Sequence, residues 1–368
     1  MKIFYDNIVF ELQKAGGISV YFYEIARRAL NAGYDLWFIE QEAAKDNIFR
    51  KKLSIPGDRI IRENYLPLAV RRYMPIRVPI DDNSLIHSSY YRVSRQKNIA
   101  RVVTVHDFAY EYFRKGLPRC VHGLQKKFAI DNADGIICVS ENTRNDLLRL
   151  NGTVAAKKIR VIYHGAGDAF HRLKDGEELK LPDALRDNIV KDKYILFVGH
   201  RGNYKNFAVA VEVLKKLDGY RLIVAGGGPL SKGESIMLEN ELPGRYTWLG
   251  NMESSELNIL YNYTYCLLYP SSYEGFGIPI LEAMQAGCPV VTTNKASIPE
   301  VCGAAGLMVD QIDPDEFLKK ILKLENIPFR REIVEAGLRQ SQKFSWDRAF
   351  SETMEFYKEV YERKIGRE

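Results

Sequence analysis

Hydrophobic positions in this chain fall into short unbroken runs separated by longer stretches with a helical repeat, and the two alternate from end to end. Runs at 2–6, 34–40, 84–89, 101–105, 135–139 and 159–163 predict strands, several of them buried on both faces. After the first run, Ile18, Tyr21, Phe22, Ile25 and Ala29 recur at helical spacing, with Arg27 and Arg28 opposite and Gly33 beyond. That predicts a strand, a Gly16-Gly17 loop and an amphipathic helix, the phosphate-cradling order of doubly wound sheets, although a tight turn would read the same. Residues 126–133 and the stretch from Thr143 read as further helices. Residues 41–80 follow neither repeat; the cations and aromatics at 71–77 suit a sugar or an anion as well as a solvated loop.

Residues 168–192 are charged and lack apolar periodicity, as a linker would. A second alternation follows, with strands at 194–199, 221–225, 246–250 and 265–269 and helices at 207–217, after Ser254 and at 346–363. Its last strand delivers Y-P-S-S-Y-E-G-F-G-I-P-I-L-E-A-M-Q-A-G at 269–287, a glycine loop turning into a helix near Pro279 and stopping at Gly287. Two such alternations predict an α/β chain of two Rossmann-like domains whose parallel sheets face a cleft between them. We place the domains at 1–170 and 171–346, with the final helix, 347–368, packing back on the first.

Composition bounds the possibilities. At 368 residues, 46% hydrophobic and 27% charged, the chain is globular and too long for one ordinary core. Its first residues lack the pattern of a cleaved leader and no apolar run approaches the ~18 residues of a spanning helix, so a cytoplasmic protein is expected. Five scattered cysteines with no C-x-x-C predict reduced, buried thiols rather than disulfides or zinc. Charge is uneven: residues 1–165 hold 27 lysines and arginines against 17 acids, the remainder 26 against 30. A basic front half fits nucleic acid, an anionic membrane surface, a phosphate-bearing acceptor, or simply a soluble surface.

The candidate chemistry gathers at 269–287. Helix-opening amides beside Gly277 suit an anion, while Glu274 on the loop and Glu282 one turn into the helix can accept hydrogen bonds from hydroxyls. Phosphates beside hydroxyls describe a nucleotide sugar, although a glycine turn with two solvated glutamates reads the same way. His106 and Asp107 follow a predicted strand at its carboxyl end, where open α/β sheets place ligands. Asp313-Pro314-Asp315 is literally a D-x-D, but Asp313 with Pro314 and Glu316 also makes a good helix start.

E-G-F-G-I-P-I-L-E resembles the E-x7-E motif of the retaining family 4 glycosyltransferases of the GT-B fold, built from two Rossmann-like domains. V-G-H-R-G-N-Y-K-N, G-G-I-S-V-Y, V-S-E-N-T, A-G-G-G-P, W-L-G-N and I-P-E-V fall in that family's order, and the likeness covers nearly the whole chain. The resemblance implies a hexosyltransferase that retains anomeric configuration without a metal or other cofactor. Its donor is a nucleotide-diphosphate sugar, GDP-mannose first and a UDP-sugar as alternative. Its acceptor is a glycan or lipid-linked precursor of cell-surface polysaccharide, with no nucleic-acid partner. Arg201 and Lys205 would stabilise the departing diphosphate, helped by amides at Gly16, Gly17 and the Phe276-Gly277-Ile278 turn. Glu274 would hold the transferred sugar, Glu282 the ribose, Gly227 and Met252 the base, and His106 the sugar from the first domain. Peripheral contact with the inner face of an anionic membrane is part of the same expectation.

Other readings remain open on the residues alone. A glycoside hydrolase would set two carboxylates across one bond and leave the Arg201/Lys205 loop without a purpose. A nucleotide-sugar epimerase or a sugar phosphorylase could share the fold, and a non-catalytic sugar-binding protein would need no diphosphate clamp. A dehydrogenase would require G-x-G-x-x-G and an acid ~20 residues on, and neither half has the full pattern.

Overall fold

The structure is a computed structural model that describes residues 1–63, 66–174 and 190–366; most of the predicted linker therefore lies outside the described residues. The chain divides into two compact units, Met1–His164 with Trp346–Glu368, and Gly165–Ser345.

The first unit is built on a parallel sheet of seven strands in the order β3-β2-β1-β4-β5-β6-β7. They are β1 (Lys2–Asp6), β2 (Leu36–Ile39), β3 (Ile60–Ile61), β4 (Ser84–Ser88), β5 (Ile99–Val105), β6 (Gly135–Cys138) and β7 (Ile159–Val161). Every residue of β4 and β6 is buried, as expected where helices cover both faces of a parallel sheet. The longer helices here are α1 (Gly17–Asn31), α2 (Leu117–Asn132) and α3 (Glu141–Leu150). α3 starts two residues before the predicted Thr143, because Ser140 caps it by accepting from the Thr143 amide at 3.0 Å. The core joins Ile3, Tyr5, Phe38 and Leu85 from the sheet to Tyr21, Phe22 and Ile25 of α1.

The described part of residues 41–80, without a repeat in the sequence, consists of short helical turns, loops and the two-residue strand β3, tied down by buried ion pairs. Arg50 pairs with Glu40, Arg71 with Glu11, and Arg92 bridges Asp6 at 3.1 Å and Glu63 at 2.7 Å. Arg71 is thus a structural cation, while Arg72 lies over the Tyr73 and Tyr90 rings.

The second unit has six parallel strands in the order β10-β9-β8-β11-β12-β13. These are β8 (Tyr194–Val198), β9 (Arg221–Ala225), β10 (Tyr246–Leu249), β11 (Cys266–Tyr269), β12 (Val290–Thr293) and β13 (Gly306–Val309). Its helices include α4 (Phe207–Lys215), α5 (Lys232–Glu241), α6 (Ser254–Tyr263), α7 (Ile278–Gln285), α8 (Pro314–Leu322) and α9 (Ile327–Ser341). Ile195, Phe197, Leu222, Val224 and Leu268 form the core with Val211 and Leu214 of α4. Strand order reverses between β8 and β11, and loops leaving the carboxyl ends of such a pair are where doubly wound sheets take ligands.

After this unit the chain rejoins the first through α10 (Trp346–Ile365). Trp346, Phe356, Tyr357 and Val360 are buried in the first unit's core. No described helix is long and apolar enough to cross a membrane.

Candidate functional site

Two loops of the second unit meet at the β8/β11 reversal. The first follows β8 and ends in a tight turn at Asn203–Lys205; the second follows β11 and carries Glu274 to the start of α7. They are stitched to each other: the Ser272 amide and hydroxyl donate to the Tyr204 carbonyl at 2.7 and 3.0 Å, and the Asn206 side-chain amide donates to the Pro270 carbonyl at 2.8 Å. Asn206 has a left-handed backbone, φ 50°, which asparagine tolerates better than most residues. That fold-back turns Lys205 toward the second loop.

Lys205 forms an ion pair with Glu274 and donates to the Tyr269 hydroxyl at 2.7 Å. Both partners of the pair are largely buried, so the charges act through little water. The loop under Glu274 is fixed from the next strand and turn. Thr292 and Thr293 donate to the carbonyls of Tyr269 and Ser271 at 2.7 and 2.5 Å, and Ser297 Oγ lies 2.9 Å from the Glu274 carbonyl and 3.0 Å from that of Phe276. Gly277 then takes φ 103° and starts α7 without a side-chain cap, so Ile278 is the first helical residue and Pro279 the second. Phe276 is buried, its ring edge-on to Phe344 at 5.8 Å, which makes it a loop anchor.

Arg201 is placed differently from the expected diphosphate grip. Its guanidinium donates to the carbonyls of Gly226 at 3.0 Å, Gly228 at 3.0 Å and Pro229 at 2.8 Å, and its Nε lies 3.1 Å from Glu234. It is 8% exposed and organises the glycine turn after β9. Gly226, Gly227 and Gly228 all have φ 75°, and a Cβ on Gly227 would stand 2.3 Å from the Gly199 carbonyl oxygen. Met252 is half-buried in the turn after β10.

Glu282 stands apart from the Lys205 cluster. Tyr261 of α6 donates to it at 3.1 Å, and burial pushes its carboxyl up to about 7, with the tyrosine bond opposing the rise. A group poised there is a proton acceptor or donor at neutral pH.

In the first unit, His106 lies at the end of β5, its ring 5.2 Å from Tyr21, edge-on, and 6.0 Å from His164. Burial drives its pKa down to about 4, so the ring is neutral, and its buried Nε2 finds no hydrogen-bond partner among the described residues. Tyr21 sits on α1, which Gly16 precedes and Gly17 opens. A Cβ on Gly16 would overlap the Gln13 side chain. His87, beneath, is satisfied by Tyr357 and by Thr104 at 2.9 Å, and burial lowers its pKa to about 3. Sequence reasoning did not single out Tyr261, Tyr269, Ser297 or Glu234 as site residues; each contacts a candidate residue far away in the chain, and periodicity reports only near neighbours.

Asp313 of the D-x-D is the N-cap of α8, accepting from the amides of Asp315 at 2.9 Å and Glu316 at 3.3 Å. The Glu316 carboxylate accepts from Lys319 at 2.7 Å. Four of the five cysteines are buried, and Cys120 is exposed.

Comparison with known proteins adds what geometry leaves open. Residues 15–168 match the model described as Glycosyltransferase Family 4, and residues 186–340 that of Glycosyl transferases group 1. O-antigen chain mannosyltransferase B of Escherichia coli is 32% identical over 238 residues, 62% of each chain, so the match spans about three fifths of that relative. Among solved structures, sucrose-phosphate synthase from Thermosynechococcus elongatus superposes with a TM-score of 0.73 at 19% identity, covering 98% of this chain and 99% of that one. Anabaena HepE in complex with UDP and glucose gives 0.71 at 16%, covering 96% and 98%. The two matched models take up most of the sequence, one in each unit, and the chain belongs to the family 4 glycosyltransferases of the GT-B fold.

Proposed function

We propose that the protein transfers a hexose, with retained configuration, from a nucleotide-diphosphate sugar to a glycan or lipid-linked acceptor in cell-surface polysaccharide synthesis. GDP-mannose is the favoured donor, in keeping with the mannosyltransferase relative, and a UDP-sugar is the alternative, in keeping with the UDP complex of HepE. The observation that carries the reading is the Lys205, Glu274 and Tyr269 cluster at the β8/β11 reversal, beside the uncapped start of α7.

As the anomeric C–O bond breaks, negative charge grows on the diphosphate. Lys205 is the cation for that charge, with the opening amides of α7 adding dipoles. Arg201 contributes positive charge while fixing the turn at Gly226, Gly227 and Gly228, beside which Gly227 and Met252 receive the base. Glu274 accepts from hydroxyls of the transferred sugar; committed to Lys205, it is a positioning carboxylate more than a nucleophile, which favours attack on the face the diphosphate leaves. Glu282 accepts from the ribose, and the first unit offers the neutral ring of His106 as a hydrogen-bonding group for a sugar. The reaction is proposed to run without a metal, since the D-x-D aspartate Asp313 is occupied as a helix cap.

A nucleotide-release assay over a panel of donors, with and without acceptor extracts, tests this. Acceptor-dependent release from a single donor is expected, undiminished by EDTA. Lys205→Ala and Glu274→Ala should each lower turnover by about 10²–10³-fold with folding intact. Donor conversion without acceptor would point to an epimerase, and full activity in either variant would remove that residue from the scheme.

A further inference from the structure

The two oxygens of the Glu282 carboxylate are unlike. Oε2 accepts from the Tyr261 hydroxyl at 3.1 Å, while Oε1 has no partner among the described residues, and the residue keeps part of its surface exposed. Tyr261 is fully buried on α6 and held from two sides. On one, its ring meets the buried Phe170 edge-on at 5.9 Å. The chain that carries Phe170 is fastened along α6: the His171 and Leu173 amides donate to the side-chain oxygens of Asn258 at 3.0 Å and Asn262 at 2.9 Å, and the Asn262 side chain donates back to the His171 carbonyl at 2.9 Å. On the other, Tyr194 of β8 donates to the carbonyl of Leu260, the residue before Tyr261, at 2.7 Å, and Thr264 donates to the Tyr194 carbonyl at 3.0 Å.

A tyrosine fixed in this way cannot follow the carboxylate, so the carboxylate takes its direction from the tyrosine. Packing against Phe170 would be met by a phenylalanine ring of the same shape, and the bond to Glu282 is the one hydrogen bond of the Tyr261 hydroxyl among the described residues. A glutamate left free would lose rotamer freedom each time a ligand engaged it; one already clamped by an oxygen has lost that freedom beforehand. Resting on the reading of Glu282 as the ribose acceptor, we infer that Tyr261 is a positioning residue for nucleotide recognition: it holds Oε2 and commits Oε1 to a hydroxyl of the ribose, so that the second unit distinguishes ribonucleotides from nucleotides that lack that hydroxyl. A polar group placed to pair with a ligand hydroxyl is left unpaired by the analogue without it, which is how such a site discriminates.

Titration of the full chain with GDP and with UDP, each against its 2′,3′-dideoxy analogue, tests the assignment without acceptor or turnover. The nucleotide that binds should do so about tenfold or more tighter than its dideoxy analogue. Tyr261→Phe should reduce that ratio by about fivefold through weaker binding of the ribonucleotide, with affinity for the analogue and far-ultraviolet circular dichroism unchanged. In a Glu282→Ala background the same substitution should change neither affinity, because its effect passes through the carboxylate. Equal weakening of both ligands by Tyr261→Phe would mean that the hydroxyl serves the fold and would overturn the inference, as would an effect that persists without Glu282. A parent preference that Tyr261→Phe leaves intact would overturn it too, with the ribose role of Glu282 still standing. A parent protein indifferent to the ribose hydroxyls would take down that role and the inference together.

Discussion

Burial raises the Glu282 carboxyl from 4.5 to about 7, so between those values the native protein holds a proton that the unfolded chain releases. The contribution to stability is fully present below pH 4.5 and declines as pH rises through 7; at about 1.4 kcal/mol per unit it is at most on the order of 3 kcal/mol. Denaturant midpoints should therefore fall from about pH 4.5 to 7 and level off above that, and Glu282→Gln should lack that component. Ribose hydroxyls donating to the carboxylate, as proposed, would favour its ionised form, so on that proposal nucleotide binding releases a proton near pH 7, and calorimetry in buffers of different ionisation heat reads it. An equal pH dependence in the Gln variant would show that another group is titrating. At Gly227 the prediction is steric: φ 75° and a Cβ 2.3 Å from the Gly199 oxygen make Gly227→Ala destabilising by roughly 1–3 kcal/mol in chemical denaturation. Glu274, Lys205 and the glycines could be picked out as candidates because each lies on a loop between predictable elements. The contacts of Arg201 could not be read, because no local pattern tells that its donors are taken by carbonyls 25 to 28 residues on.

Among elements, strand runs are legible where a parallel strand is covered on both faces and apolar throughout, as at β6 and β8, whereas β3, β12 and β13 were not read. Residues 41–80 were opaque for the opposite reason: their order comes from Arg50, Arg71 and Arg92 meeting acids across the unit, and ion pairs have no period. The loop entering α7 is similar, its shape held by Thr292, Thr293 and Ser297 from later in the chain. Ser297 has one proton for two carbonyls, each near 3 Å, so Ser297→Ala loosens the segment carrying Glu274 at a cost of about 1 kcal/mol in stability. If Glu274 owes its position to that bond, turnover in Ser297→Ala should fall by more than the stability loss accounts for, with Ser297→Thr restoring part of it. Turnover unchanged in the Ala variant would mean that the two threonines suffice.

At the scale of the whole molecule, the first unit is assembled from two distant pieces of chain, and its core is incomplete until α10 is in place. Phe356 is 1% exposed and Tyr357 and Val360 fully buried, and a Cβ on Gly135 of β6 would stand 2.5 Å from Val360 and 3.0 Å from Phe356, so helix and sheet are in tight contact. Removing the Phe356 ring should therefore cost about 3–5 kcal/mol, and the loss should be confined to the unit that contains it. Hydrogen exchange followed strand by strand can read this. Phe356→Ala should speed exchange in β1, β4, β5 and β6, while β8, β9 and β11, whose core is formed by residues of the second unit alone, keep their protection. Equal loosening of both sheets would mean that the chain unfolds as one cooperative body and that the division at His164 has no energetic counterpart.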